Sequence, residues 1–496
     1  MVLRFRHLLI FLQIALILLI VDASWLNKYF RVPHKVHFKL NYDCKNVTLC
    51  EKPVESETYL ATVLWPEHMR KYEACLDYKC ICPAFKGTVK DEKCILPSGE
   101  VLAKSVRKEY RQMTKDEREA YVKMMNEMQE DGTYRLIGVI HQAAGVHSGP
   151  SFFPWHREFL KRTEFIFRLY NHTLAIPYWD SVLDSYLPNP ADSVWFSKHL
   201  MGEADKNGDV YNSVFKNFTT LDDRPTFRRK LGKAIDGELM NNNRIDWIMD
   251  QTNITHGILA YSMPLIGCDP YEMDDKFLEY SHDYVHYFVN GDMEDRTTSS
   301  NDPIFFTHHS FVDYLWELWR LKQQTRKERE TVYPPDNMDC MPPWHFRKAK
   351  MPLLKPYRNI DGMSNIYSDN LVDYAPRPTC QTSSEECKSE FLWCDTLAVE
   401  AHCVSKIKLN GNCTGFEWSK EACYEGRCVD GVCQDESKIK TTTLVDGPSE
   451  FDVDKSMQRL RQKTQEFYKK KPHKQIKLQI VDVKELSTAE KVKRFM

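Results

Sequence analysis

Apolar and polar residues alternate with a helical period in four stretches of this chain. MTKDEREAYVKMMNEMQEDG sets Thr114 and Glu117 at capping-box spacing before an amphipathic run, and Gly132 closes it. HREFLKRTEFIFRLYN, from His156, spaces Phe159, Leu160, Phe167 and Leu169 among charges at the same period. DKFLEYSHDYVHYFVNG, from Asp275, has the same character and ends at Gly291. HSFVDYLWELWRLKQQ, from His309, reads as a long amphipathic helix. The pattern predicts an all-α or mostly-α middle, about 101–379, with long irregular connections over its core.

The flanks differ from this middle. Basic Arg4 and Arg6 precede an apolar run from Leu8 to Val21, and Val21 and Ala23 sit at the spacing of a cleavage site. This predicts a secretory signal peptide over 1–23. The run is well short of the roughly 20 residues that span a membrane, and no later run is long enough, so no membrane span is expected after signal removal. The 16 cysteines suit an extracellular, disulfide-bonded chain. Six lie in 44–94 and eight in 380–433, with Cys268 and Cys340 between. The sequence therefore divides into a cysteine-rich segment (24–100), the helical middle (101–379), a cysteine-rich module (380–433) and a tail (434–496). Eight cysteines allow 105 pairings, and spacing does not choose among them. The tail is basic and lacks periodicity, which predicts disorder. Asn46, Asn171, Asn217, Asn253 and Asn412 stand in N-glycan acceptor triplets. A formal net charge of −2 offers nothing to nucleic acid.

Candidate chemistry lies in the histidines. Of 17, seven crowd into 141–156 and 282–309. His282 and His286 are four apart, so on a helix they share one face and can grip one metal; two exposed histidines on a charged helix is the plainer reading. His156 alone reads as a helix cap or a packed core residue. Taken together, the windows repeat one layout. Phe152 stands four before His156, and Phe305 four before His309. Each of those histidines opens an amphipathic helix, and each window supplies further histidines upstream. Two three-histidine sites on facing helix pairs would look like this. All-imidazole sites suit Zn, Cu, Fe or Ni. There is no HExxH spacing and no set of bridging carboxylates, and copper fits best.

Several motifs make the resemblance explicit: HSGPSFFPWHR at 147–157, IPYWD at 176–180, HDYVH at 282–286 and DPIFFTHHSFVD at 302–313, with VRKEYRQMTKDERE at 106–119 as a lead-in. Together the chain resembles the tyrosinases, a type 3 copper family that includes catechol oxidases and molluscan haemocyanins. The resemblance implies an antiparallel four-helix bundle holding two copper ions, with disulfide-rich extensions on either side. His141, His147 and His156 would hold one ion, and His282, His286 and His309 the other. His308 would stand behind the ligands, Phe152 and Phe305 would pack on their rings, and Asp313 would anchor its helix with Arg157 as charge partner. With O2 as co-substrate, the reaction implied is hydroxylation of monophenols, oxidation of o-diphenols to o-quinones, or both.

The resemblance also implies a base near the second copper, with Glu279 and Asp283 four apart and able to share a water. Arg296 falls where relatives control substrate access. Gly145 occupies the position at which some relatives carry a cross-linked cysteine, so no thioether is expected. Small phenols or protein tyrosyl groups are the implied substrates, and pigment formation, matrix cross-linking or defence the implied uses. The same six ligands serve haemocyanin-like oxygen carriers, and a non-catalytic copper-binding matrix protein is a further alternative. The module at 380–433 resembles cysteine-rich modules of secreted metalloproteases. It or the basic tail would contact extracellular matrix, or the module would dock on the copper domain and cover the site.

Overall fold

The computed structural model describes residues 71–438, apart from 216–217, 266–267 and 269–273. The signal peptide, Asn46, Asn217 and the tail from 439 onward lie outside the described residues. Six helices of eight or more residues lie among those described: α1 Lys115–Glu130, α2 Thr133–Ala144, α3 Phe152–Tyr170, α4 Asn242–Asp250, α5 Leu278–Val289 and α6 Ile304–Gln323. Among the described residues helix is the main regular structure, as the periodicity predicts.

Local chemistry sets the helix ends. Thr114 Oγ1 accepts from Glu117 N–H at 3.2 Å, and Glu117 returns a bond to Thr114 N–H at 2.9 Å, so α1 opens on the predicted capping box. α3 starts at Phe152, four residues before His156, because Pro154 in the first turn forfeits no helical hydrogen bond. α6 starts at Ile304, whose N–H donates to Asp302 Oδ1 at 2.9 Å. His308 and His309 therefore both lie inside the helix. Asn290, at a φ of 57°, ends α5 just before Gly291.

α3 packs against α6, α1 against α2, and both α4 and α5 against α6. The core between α3 and α6 is aromatic: Phe152, Trp155, Phe159, Phe305, Phe306 and Trp316 are all buried. An ion-pair group closes the other end of this packing. Arg157 Nε donates to Asp313 Oδ1 at 2.7 Å, and its Nη2 lies 2.9 Å from Glu317. The Arg157 guanidinium sits 4.0 Å over the Trp316 ring.

Among the described residues eight short strands form two-stranded sheets, in the pairs β1 Thr88–Lys90 with β2 Lys93–Ile95, β3 Ser105–Arg107 with β4 Val372–Tyr374, β5 Leu392–Asp395 with β6 His402–Ser405, and β7 Arg427–Val429 with β8 Val432–Gln434. Only β3 and β4 run parallel, with Ser105 opposite Val372. Disulfides join Cys75 to Cys80 and Cys82 to Cys94 ahead of the helices, and Cys268 to Cys340 between them. In the module the pairs are Cys380–Cys394, Cys387–Cys403, Cys413–Cys428 and Cys423–Cys433. None leaves the module. Each of its two hairpins therefore carries two bonds, which supplement a small apolar cluster around Trp393, Val404 and Ile407.

Candidate metal centre

Six histidines come together from four helices and one loop. α2 supplies His141 in its last turn, the loop 145–151 supplies His147, and the first turns of α3 supply His156. α5 supplies His282 and His286 one turn apart, and α6 supplies His309. His147 is partly exposed; the other five are buried.

In the first set, His141 Nε2 lies 3.4 Å from His156 Nε2. The His147 ring centre is 5.4 Å from that of His141 and 5.0 Å from that of His156. In the second, His282 Nε2 and His286 Nε2 each lie 3.3 Å from His309 Nε2. The sets adjoin where the His156 and His309 rings stack, 4.7 Å apart and 15° from parallel. His308 also brings a ring nitrogen within 4.8 Å of one on His282 and one on His286. Its Nε2, however, bonds the His282 carbonyl oxygen at 3.2 Å, and a carbonyl only accepts.

The ring protons are placed by what the Nδ1 atoms meet. His156 Nδ1 faces Phe152 O at 2.8 Å, His286 Nδ1 faces Met293 O at 2.7 Å, and His147 Nδ1 faces Gly145 O at 3.2 Å. His282 Nδ1 faces Asp283 Oδ1 at 3.0 Å. Each oxygen accepts a hydrogen bond from Nδ1–H, which keeps the proton on Nδ1 and leaves the lone pair on Nε2, the atom aimed into the cluster. Burial then pushes all six imidazoles toward the neutral form, His147 down to about 3, His286 to about 4 and the rest well below the usual histidine value. Lone pairs facing one another at 3.3–3.4 Å repel unless a cation lies among them. Two nitrogens bound to one ion at about 2.0–2.1 Å in tetrahedral geometry stand about 3.3–3.4 Å apart. The donor set therefore fits one transition-metal ion per triad.

Phenylalanine fills the space between the triads. The Phe152 ring lies 4.4 Å from His156 and 4.7 Å from His282, one from each set. Phe305 lies 4.6 Å from His141 and 4.1 Å from His309. Gly145 has no room for a side chain: a Cβ there would stand 2.7 Å from the His141 carbonyl oxygen and 2.9 Å from its Nε2.

The two carboxylates differ. Glu279 is buried, and its oxygens accept from Ser148 N–H, from Gly149 N–H at 3.1 Å and from the Ser262 hydroxyl. Burial outweighs those bonds and pushes its carboxyl up to about 7. Asp283, beside His282, is 31% exposed; partial burial and then the neighbouring Glu279 charge raise its pKa. Arg296 is exposed. Sequence reasoning missed His345. It is buried behind the His147 loop, with Nδ1 2.7 Å from Ser151 Oγ, and only its histidine identity signalled it. Of the glycan candidates, Asn253 and Asn412 are exposed and Asn171 is half-buried at the end of α3.

A family model for the common central domain of tyrosinase matches residues 110–322, which hold all six histidines. A tyrosinase-like protein of Caenorhabditis elegans, tyr-3, is 42% identical over 72% of this chain, which spans 51% of that relative's length. The tyrosinase of Streptomyces lincolnensis is 31% identical, over 40% of this chain and 74% of that protein. A polyphenol oxidase from Thermothelomyces thermophila aligns with a TM-score of 0.42 and 18% identity, over 66% of this chain and 99% of that chain. The match to the bacterial protein over most of its length, together with a family model whose matched residues hold both histidine sets, shows that this chain belongs to the tyrosinase family of type 3 copper proteins, with a disulfide-rich module following the shared domain.

Proposed function

We propose that the chain is a secreted dicopper phenol oxidase. His141, His147 and His156 hold one copper ion and His282, His286 and His309 the other, within a bundle of α2, α3, α5 and α6. The observation that carries this is the convergence of Nε2 lone pairs at 3.3–3.4 Å in two adjoining sets. Neutral, all-imidazole donors suit copper, and no carboxylate oxygen stands among them to favour a di-iron centre. Copper, when bound, supplies a two-electron exchange with O2.

The chain's residues do the rest. A phenol enters past partly exposed His147 and Asp283, with exposed Arg296 and Met263 at the rim. Asp283 keeps an oxygen for the His282 ring, and its side chain is 31% exposed, so its carboxylate receives the phenolic proton. Glu279 has both oxygens taken by the protein. Phe152 and Phe305 exclude water between the rings and fix their tilt. The domain over 101–379 carries this chemistry, on monophenols, o-diphenols or both, and the module over 380–433 is structurally joined to it.

Copper content and oxygen uptake of the purified chain test the proposal. Two ions per chain, with uptake on a tyrosine-like phenol or a catechol, supports it. Two ions with reversible oxygen binding and no consumption of either would make it a carrier. Fewer than two ions would sink the dicopper reading.

A further inference from the structure

His147 is the one member of the six that no helix carries, and the loop holding it is gripped from two sides. On one side Glu279, from α5, accepts from the backbone N–H groups of Ser148 and Gly149 and from the Ser262 hydroxyl. On the other, His345 Nδ1 meets Ser151 Oγ at 2.7 Å and accepts from Ser151 N–H at 3.4 Å. Gly149 fits between: a Cβ there would stand 2.9 Å from the His345 ring. Ser148 is held at a φ of 72°, a conformation a non-glycine residue does not keep without external support. The two grips are themselves connected. Ser262 and His345 lie in segments joined by the Cys268–Cys340 disulfide and by Leu265 N–H donating to Cys340 O at 3.1 Å.

We propose that Glu279, His345 and the Cys268–Cys340 disulfide form one frame that holds His147 in place on the first ion, which makes Glu279 a positioning residue rather than the base. The inference rests on the dicopper reading above. Three protein donors engage both Glu279 oxygens and fill three of the carboxylate's roughly four acceptor sites, and none of them is a group that leaves during turnover. The second triad is carried entirely by α5 and α6 and needs no such frame. The two ions therefore depend on it unequally.

The full-length secreted chain tests this, as wild type, as Glu279→Gln, and as the double variant Cys268→Ser with Cys340→Ser. Copper affinity is read ion by ion by equilibrium competition with a chelator, alongside the melting temperature of the copper-free chain. In Glu279→Gln an amide NH2 faces a backbone donor, so one grip is lost while the bulk is kept. One ion should then bind about 10- to 100-fold more weakly and the other as in wild type, with the copper-free melting temperature retained. Glu279→Asp, with a carboxylate on a shorter arm, should recover part of the loss. Equal weakening of both ions, or unchanged affinity for both, would overturn the inference. A wild-type chain binding fewer than two ions would instead remove the reading beneath it. Should the cysteine variant fail to fold, the glutamate variants decide.

Discussion

The His308 and His282 rings stack 5.0 Å apart and 9° from parallel, and His308 Nε2 donates to the His282 carbonyl at 3.2 Å. The side-by-side histidines of α6 thus divide the work. His309 turns its Nε2 toward His282 and His286, while His308 fastens α6 to the backbone of α5. Replacing His309 with Ala should remove the second ion and leave the first. Replacing His308 with Ala should leave both ions and cost about 2–4 kcal/mol, from a cavity and a lost hydrogen bond. Metal analysis and urea unfolding read the two effects. Two ions in the His309 variant would reverse the assignment within the pair.

How much of this was legible depended on how far the deciding contacts reach along the chain. The i, i+4 pair His282/His286 is visible in sequence because one helical turn brings both onto one face. The Thr114–Glu117 cap is equally local. His141 is harder: α2, on which it stands, is not among the four helices expected from the sequence, and its place beside His156 is set by packing. His345 could not be found at all. Its bonds with Ser151 span 194 residues, and no local pattern encodes them. Glu279 shows the opposite limit. Spacing put it one turn from His282, but only the folded loop shows its oxygens already occupied.

Gly145 gives a test of close approach. An Ala Cβ at 145 would sit 2.9 Å from His141 Cδ2 and Nε2 and 2.7 Å from its carbonyl oxygen. Such distances force the imidazole to move. Gly145→Ala should therefore weaken the first ion by at least about 10-fold with a near-normal second ion. Chelator competition measures this, and full retention of the first ion would show that the ring has slack the structure does not indicate.

Asp283 separates the two phenol reactions. Asn in its place still offers an oxygen to His282 Nδ1–H but no longer takes a proton. Only monophenols need that proton removed on the way in. Oxygen uptake with a monophenol should fall by roughly 10²-fold, while catechol oxidation changes far less. Equal falls on both substrates would assign Asp283 to holding His282 alone.

Acid should loosen the junction of α3 and α6. Burial by itself would raise the Glu317 carboxyl, but the Arg157 and Arg320 guanidiniums, 2.9 and 2.6 Å away, outweigh it and hold it down at about 2. A folded pKa below the unfolded one means stability that is present above about pH 4.3 and lost as pH falls through about 2. The contribution is about 3 kcal/mol. Urea unfolding of the copper-free chain at pH 6, 4 and 2.5 should show the wild-type advantage over Glu317→Gln shrinking with acid. A constant difference would remove the ion pairs as its source.

The cysteine-rich module is fastened to the helical domain by buried polar contacts, away from the histidine cluster's opening. Arg111 Nη1 donates to Ser405 Oγ at 3.1 Å and to Asp184 Oδ1 at 2.9 Å, and all three residues are buried. Ser193 Oγ lies 2.8 Å from the same Ser405 hydroxyl, and backbone bonds run from Val194 N–H to Lys406 O at 2.8 Å and from Lys408 N–H to Asp192 O at 2.9 Å. Among the described residues these bonds reach segments 109–118 and 184–199 rather than His147, Asp283 or Arg296. Asp184 Oδ2 in turn accepts from Trp179 Nε1 at 2.8 Å, and the Trp179 ring lies 6.4 Å from that of His308. A removable shield over the copper would raise activity when trimmed. A structural brace would do the reverse, because trimming strands buried Arg111 with fewer acceptors and loosens the packing behind His308. Deleting 380–438 should therefore give a poorly soluble chain with less copper and no gain in oxygen uptake. Ser405→Ala should cost about 1–3 kcal/mol, seen as a lower melting temperature. A soluble, more active trimmed chain would restore the shield.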